Sequence, residues 1–254
     1  MNKLIFGKGN KKLGPDVFTF SLPAGHSCPF AYSCFAKVDR ETGKLTDGRY
    51  QEFRCFSASM ESQGPYAKVI RKARWHNFDS LRGKSHSEMY QLIYKSLPPT
   101  ASIIRIHVSG DFFSQAYFDA WVRVARLNSE IVFYAYTKSL PYWIKRLDSI
   151  PANFRLTASH GGRSDKLIAD HGLKSATVVM TQTEADILAL EIDHDDTHAQ
   201  SGAASFALLI HGTQKAGTDQ SKASYANRKP DHFNRRRMRL QWNNEKIQNR
   251  KVSQ

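Results

Sequence analysis

Ile103-Ile104-Arg105-Ile106-His107-Val108 (IIRIHV, residues 103–108) opens the part of the chain that decides its fold. Four more apolar runs of strand length follow: IVFYAY at 131–136, FRLTAS at 154–159, ATVVM at 176–180 and FALLI at 206–210. Helical stretches separate them. Residues 114–127 put Phe118, Trp121, Val122 and Ala125 on one face behind Ser114, a residue suited to an N-cap. Residues 139–149, 163–171 and 183–192 are the other helical stretches. Such alternation predicts an α/β fold of parallel strands joined by right-handed crossovers. Five strands, six with VFTFSL at 17–22, suit a parallel β/α barrel-like fold, partial or irregular. A doubly wound open sheet is the alternative.

Working outward, residues 1–16 read as an arm and 26–60 as a loop region that carries every cysteine. Pro65 can open a helix whose apolar stripe is Tyr66, Val69, Ile70 and Ala73, with Lys68, Arg71, Lys72 and Arg74 on its other sides. A second helix, 87–97, carries Met89, Leu92 and Ile93 and is stopped by Pro98-Pro99. The organisation expected is a single β/α domain over 1–224 and a basic C-terminal tail over 225–254. The 254 residues, 41% hydrophobic and 24% charged, exclude collagen-like, coiled-coil and wholly disordered chains. No apolar run has the length of a membrane span and the N-terminus lacks a signal-peptide core, so a cytoplasmic protein is expected.

Lys and Arg outnumber Asp and Glu by 37 to 23, a net charge of +14 that points to a polyanionic partner, nucleic acid first. Half of the excess lies in residues 225–254, where nine Lys/Arg face two Asp/Glu. Arg228, Lys229, Arg235, Arg236, Arg237 and Arg239 interleave there with Tyr225, Phe233 and Trp242, a pattern that suits phosphates and unpaired bases. A basic helix packed on its own domain is the plainer alternative.

In β/α folds, active sites gather at the C-terminal ends of the strands. Here those turns hold Ser109-Gly110-Asp111, Thr137-Lys138, His160-Gly161-Gly162, Thr181-Gln182 and His211-Gly212-Thr213. At period two, Arg105 shares a strand face with His107, and Arg155 with Thr157 and Ser159, which predicts a wet, cationic interior. Asp111, His107, Lys138 and His160 are the catalytic candidates. His194-Asp195-Asp196-Thr197-His198 reads as a solvated loop rather than a metal site.

The three cysteines, Cys28, Cys34 and Cys55, fall within 28 residues at spacing C-x5-C-x20-C. Three thiolates suit a [4Fe–4S] cluster with one open iron; a zinc site completed by His26 or His76, or unrelated buried thiols, are the alternatives. The segment SLPAGHSCPFAYSC, with DRETGKLTDG, EFRCFSAS, RWHNFD, SGDFFS, AYTKSLPYW and SHGG, resembles the phage protein family called gene product 88. More distantly the chain resembles radical-SAM-type iron–sulfur barrels. That likeness implies Cys28, Cys34 and Cys55 as cluster ligands. It also implies S-adenosylmethionine held near Ser109, Gly110, Asp111 and Thr137. The function expected is therefore an iron–sulfur, radical-SAM-like protein, phage- or plasmid-encoded, acting on or bound to nucleic acid. The alternative is a non-catalytic nucleic-acid-binding protein with a structural iron–sulfur or zinc site, and a third option is a small interaction protein of phage takeover.

Overall fold

The apolar runs form strands, and the helical stretches between them bring successive strands side by side. The computed structural model describes residues 3–9 and 12–228. The strands are β1 (Gly7–Lys8), β2 (Val17–Ser21), β3 (Ala36–Val38), β4 (Leu45–Asp47), β5 (Ile103–Ser109), β6 (Val132–Thr137), β7 (Phe154–Ser159), β8 (Ser175–Val179) and β9 (Phe206–Leu209). The helices are α1 (Phe56–Ser62), α2 (Ala67–Leu81), α3 (His86–Ser96), α4 (Gln115–Leu127), α5 (Leu140–Ile144), α6 (Lys166–Asp170), α7 (Gln182–Ile187) and α8 (Thr197–Ser201).

Seven strands make one sheet in the order β1-β2-β5-β6-β7-β8-β9, parallel throughout except for β1, which runs antiparallel to β2. The order advances in one direction along the chain, so right-handed crossovers place successive helices on the same side. Ile104, Ile106, Phe133, Ala135, Leu156 and Ala158 pack there against Phe118, Trp121 and Leu92 of the helical layer. On the other face Tyr134, Ala176 and Phe206 meet Leu13 and Val17. That second face is concave. Tyr136 and Phe206 lie three strands apart, about 14 Å in a flat sheet, yet their rings approach to 6.1 Å. No closed barrel forms, since β1 and β9 are the two ends of the sheet. The barrel expectation is thereby corrected to an open, curved sheet with α2, α3 and α4 on one side and the short α8 against the concave face.

Four local expectations are also corrected. Residues 26–60 are not all loop, for β3 and β4 form an antiparallel hairpin and Phe56 opens α1. Of the stripe expected on α2, Tyr66 and Val69 face outward and Ile70 and Ala73 are half-buried. Tyr66 is 72% exposed and Val69 66%, while Arg71, Arg74, Trp75 and Asn77 are buried. Arg74 turns inward because the fully buried Glu61 carboxylate lies 2.6 Å from its Nη1. In β5, His107 has φ +64° and the pairing with β2 slips between Thr19 and Ser21, so Arg105 and His107 do not share a face. Arg105 ion-pairs with Asp196 on the concave side, and His107 packs among Phe20, Phe112 and Tyr117. Asp196, placed by sequence in a solvated loop, is 1% exposed and also receives Lys12 and the Tyr134 hydroxyl.

Candidate functional site

The C-terminal ends of β5, β6 and β7 are tied together by one carboxylate. Asp111 is buried in the turn after β5 and accepts from Phe112 N (2.7 Å), Thr137 Oγ1 (2.5 Å) and Lys138 N (2.8 Å). Burial pushes its pKa above the ordinary carboxylate value, against the opposing pull of those hydrogen bonds. Lys138 Nζ donates to Ser159 O, Ser159 Oγ and His160 O, so its three protons are committed to the end of β7. His160 lies 3.8 Å from Asp165, whose two oxygens cap Gly161 N and Gly162 N. Gly110 has φ +84°, and a Cβ there would stand 2.5 Å from Ser27 Oγ, so only glycine lets the cysteine loop close down. Ser109 Oγ donates to Glu61 Oε1 at 3.3 Å.

The cysteine loop lies across these ends. Tyr32 N and Ser33 N donate to Gly161 O, and Arg163 N donates to Phe30 O. Residues 54–59 continue from it. Ser57 Oγ bonds Val108 O at the end of β5; Ser59 Oγ bonds Thr213 O and Arg54 N bonds the Gln214 side chain, both beyond β9. All three cysteines are free thiols with partial solvent access. Burial, and then the charges of Asp111, Cys55 and Cys34, drive the Cys28 thiol well above its ordinary pKa. Burial, and then Cys34, push Cys55 up to about 11. Cys28 therefore lies within electrostatic reach of Cys34, Cys55 and Asp111, and Cys55 within reach of Cys34.

His107 stands apart from that group. Its Nε2 meets Tyr117 OH at 3.0 Å on the helical side, and burial lowers its pKa to about 3, which keeps it neutral.

Among the described residues no group of three or more His, Cys, Asp or Glu side chains is arranged to hold a metal ion. Neither candidate fourth ligand for zinc joins such a group; His26 Nε2 bonds Val38 O at 3.1 Å and His76 Nε2 bonds Lys3 O at 2.9 Å. The iron–sulfur and radical-SAM-like assignment is therefore corrected, and the structural-metal alternative with it.

A second feature lies on α2, on the sides where the sequence places Lys68, Arg71 and Lys72. A groove of about 430 Å³ runs between α2 and the turn of the β3–β4 hairpin. Arg40, Lys68, Arg71, Lys72 and His76 line it, against the acids Glu41 and Asp79. Arg40 pairs with Asp79, and the Arg71 guanidinium is held by Arg40 O and Glu61 O. Lys68 and Lys72, one helical turn apart, are exposed and have no hydrogen-bond or ion-pair partner among the described residues. Of the six basic residues expected to bind nucleic acid, Arg228 is exposed and is the last described residue of a helical run that begins at 219. Lys229, Arg235, Arg236, Arg237 and Arg239 lie outside the described residues.

Fold and site together define an open-sheet β/α protein with a polar thiol-bearing mouth at the strand ends and a basic groove on its helical layer. The chain belongs to the Gene product 88 family, whose sequence model matches residues 3–229. It is similar to the Gene 88 protein of Mycobacterium phage L5 and to that of Mycobacterium phage D29, 28% identical to each over 131 residues. The matched region covers 47% of this chain and 47% of each relative, so the chain spans about half the length of the curated relatives it matches. No solved structure matches it. No helix among the described residues is long and apolar enough to cross a membrane.

Proposed function

We propose that the working partner of this chain is nucleic acid, held by phosphate contacts in the groove beside α2. The observation that carries this is the pair Lys68 and Lys72, exposed cations without a partner among the described residues, on the rim of an open groove also lined by Arg40 and Arg71. Exposed cations left without carboxylates are free to neutralise phosphates and release counterions. The excess of 37 Lys/Arg over 23 Asp/Glu supports the same partner. The groove offers charge and no base readout. Trp75 is its aromatic residue, and its ring is already packed by His26 at 4.8 Å and covered by Arg40 at 4.9 Å. Binding there is sequence-independent and salt-sensitive.

Fluorescence anisotropy with a labelled 20-nucleotide DNA, repeated over a salt series, tests this. Replacing Lys68 and Lys72 by Ala lowers the slope of log K against log salt by about 1.4 to 1.8, two phosphate contacts' worth. Both side chains are exposed, so the melting temperature stays in place. An unchanged slope at unchanged melting temperature would remove the groove from the interface.

A further inference from the structure

The column Arg163–Tyr32–Tyr50–Arg49 stands at the mouth of the sheet and has no part in the core. Tyr32 and Tyr50 stack with ring centroids 5.2 Å apart and planes 16° from parallel. Arg163 lies over Tyr32 at 5.8 Å, and Arg49 over Tyr50 at 5.4 Å. Neither guanidinium has an ion-pair or side-chain hydrogen-bond partner among the described residues, and both are exposed. Tyr50 itself is 55% exposed, an aromatic ring that the fold leaves in solvent. The column is anchored rather than loose, since Tyr32 N donates to Gly161 O in the turn after β7.

We infer that the bound nucleic acid is single-stranded and that one of its unpaired bases stacks on Tyr50 in place of the exposed Arg49 guanidinium, which moves off the ring and, with Arg163, takes the flanking phosphates. This rests on the nucleic-acid partner proposed above and adds the strandedness and a second contact point. Aromatic rings flanked by guanidinium groups accept any base through its π-face, and only a strand with splayed bases offers one. In a duplex those faces are buried in the stack. Geometry permits one strand to reach both sites. Arg40 at the groove and Tyr50 lie ten residues apart along the β3–β4 hairpin and its continuation, a reach of at most about 35 Å. The groove supplies charge and the column supplies stacking, the two parts that sequence-tolerant single-strand binding combines.

The test compares Tyr50→Ala and Tyr50→Phe in the full chain on a labelled 20-nucleotide single strand and on the matching duplex. Tyr50→Ala is expected to weaken single-strand binding by roughly 5- to 150-fold, the contribution of one stacked base, with duplex binding unchanged. Tyr50→Phe keeps the ring and retains wild-type affinity. Equal single-strand affinity of Tyr50→Ala and wild type, or an equal loss on the duplex, overturns the inference and leaves the groove to its own lysine test. Failure of the wild-type chain to bind either oligonucleotide overturns both.

Discussion

His107 shows how one residue redirects a strand. Its φ of +64° is uncommon for a non-glycine residue and breaks the alternation that period-two reading assumes. The ring then enters an aromatic cluster on the helical side, where it stays neutral. No sequence signal marks the slip, because IIRIHV alternates as an ordinary strand would. The consequence is a pH dependence. Burial holds the folded pKa at about 3, against about 6.5 in the unfolded chain. Over that window the unfolded state binds the extra proton, so stability rises with pH and is lost as pH falls from 6.5 towards 3. Between pH 7 and pH 5 the share of His107 is about 2 kcal/mol. His107→Asn tolerates the left-handed backbone and cannot titrate. Urea unfolding at both pH values should show that much less pH dependence for the variant; equal dependence in the two proteins would refute the assignment.

At the scale of elements, α2 and α4 separate what sequence periodicity can and cannot give. In α4 the expected face Phe118, Trp121, Val122 and Ala125 is buried, and Ser114 caps Tyr117 N. Nothing polar competes for that face, so the apolar stripe alone decides. In α2 a buried carboxylate decides instead. Glu61 Oε1 accepts from Ala24 N and Arg74 Nη1, and a lone buried acid costs several kcal/mol unless paired, so the helix turns its arginines inward. Tyr66 and Val69 are left outside. Substituting Tyr66 by Ser and Val69 by Gln should therefore change stability by no more than about 0.5 kcal/mol each. Chemical denaturation measures it. A loss near 2 kcal/mol per site, as for core apolar residues, would mean that the stripe packs inward after all. The groove was legible only as composition, since Lys68 and Lys72 were visible and the hairpin turn opposite them was hidden in what read as loop.

At the scale of the whole molecule, strand–helix alternation carried the topology, because each apolar run became a parallel neighbour of the one before it. Closure was not legible, since it depends on curvature and on edge pairing between β1 and β9, which periodicity does not encode. Clustering of the cysteines was visible as spacing, but the raised pKa of Cys28 and Cys55 follows from burial that only the fold creates. Charge is the property that the chain carries as a whole. Residues 229–254 hold eight Lys/Arg and two Asp/Glu, so six of the fourteen net positive charges lie there and eight elsewhere. Two basic regions acting on one strand release counterions independently, and their salt slopes add. Replacing Arg235, Arg236 and Arg237 by Ala should lower the slope by about 2 to 3, and combining this with Lys68→Ala and Lys72→Ala should lower it by about 3.5 to 4.5. If the two regions instead compete for the same few phosphates, the five-fold variant loses no more slope than the arginine variant alone. Measuring all three slopes on the same oligonucleotide decides between these outcomes, and non-additivity would confine the interface to one region.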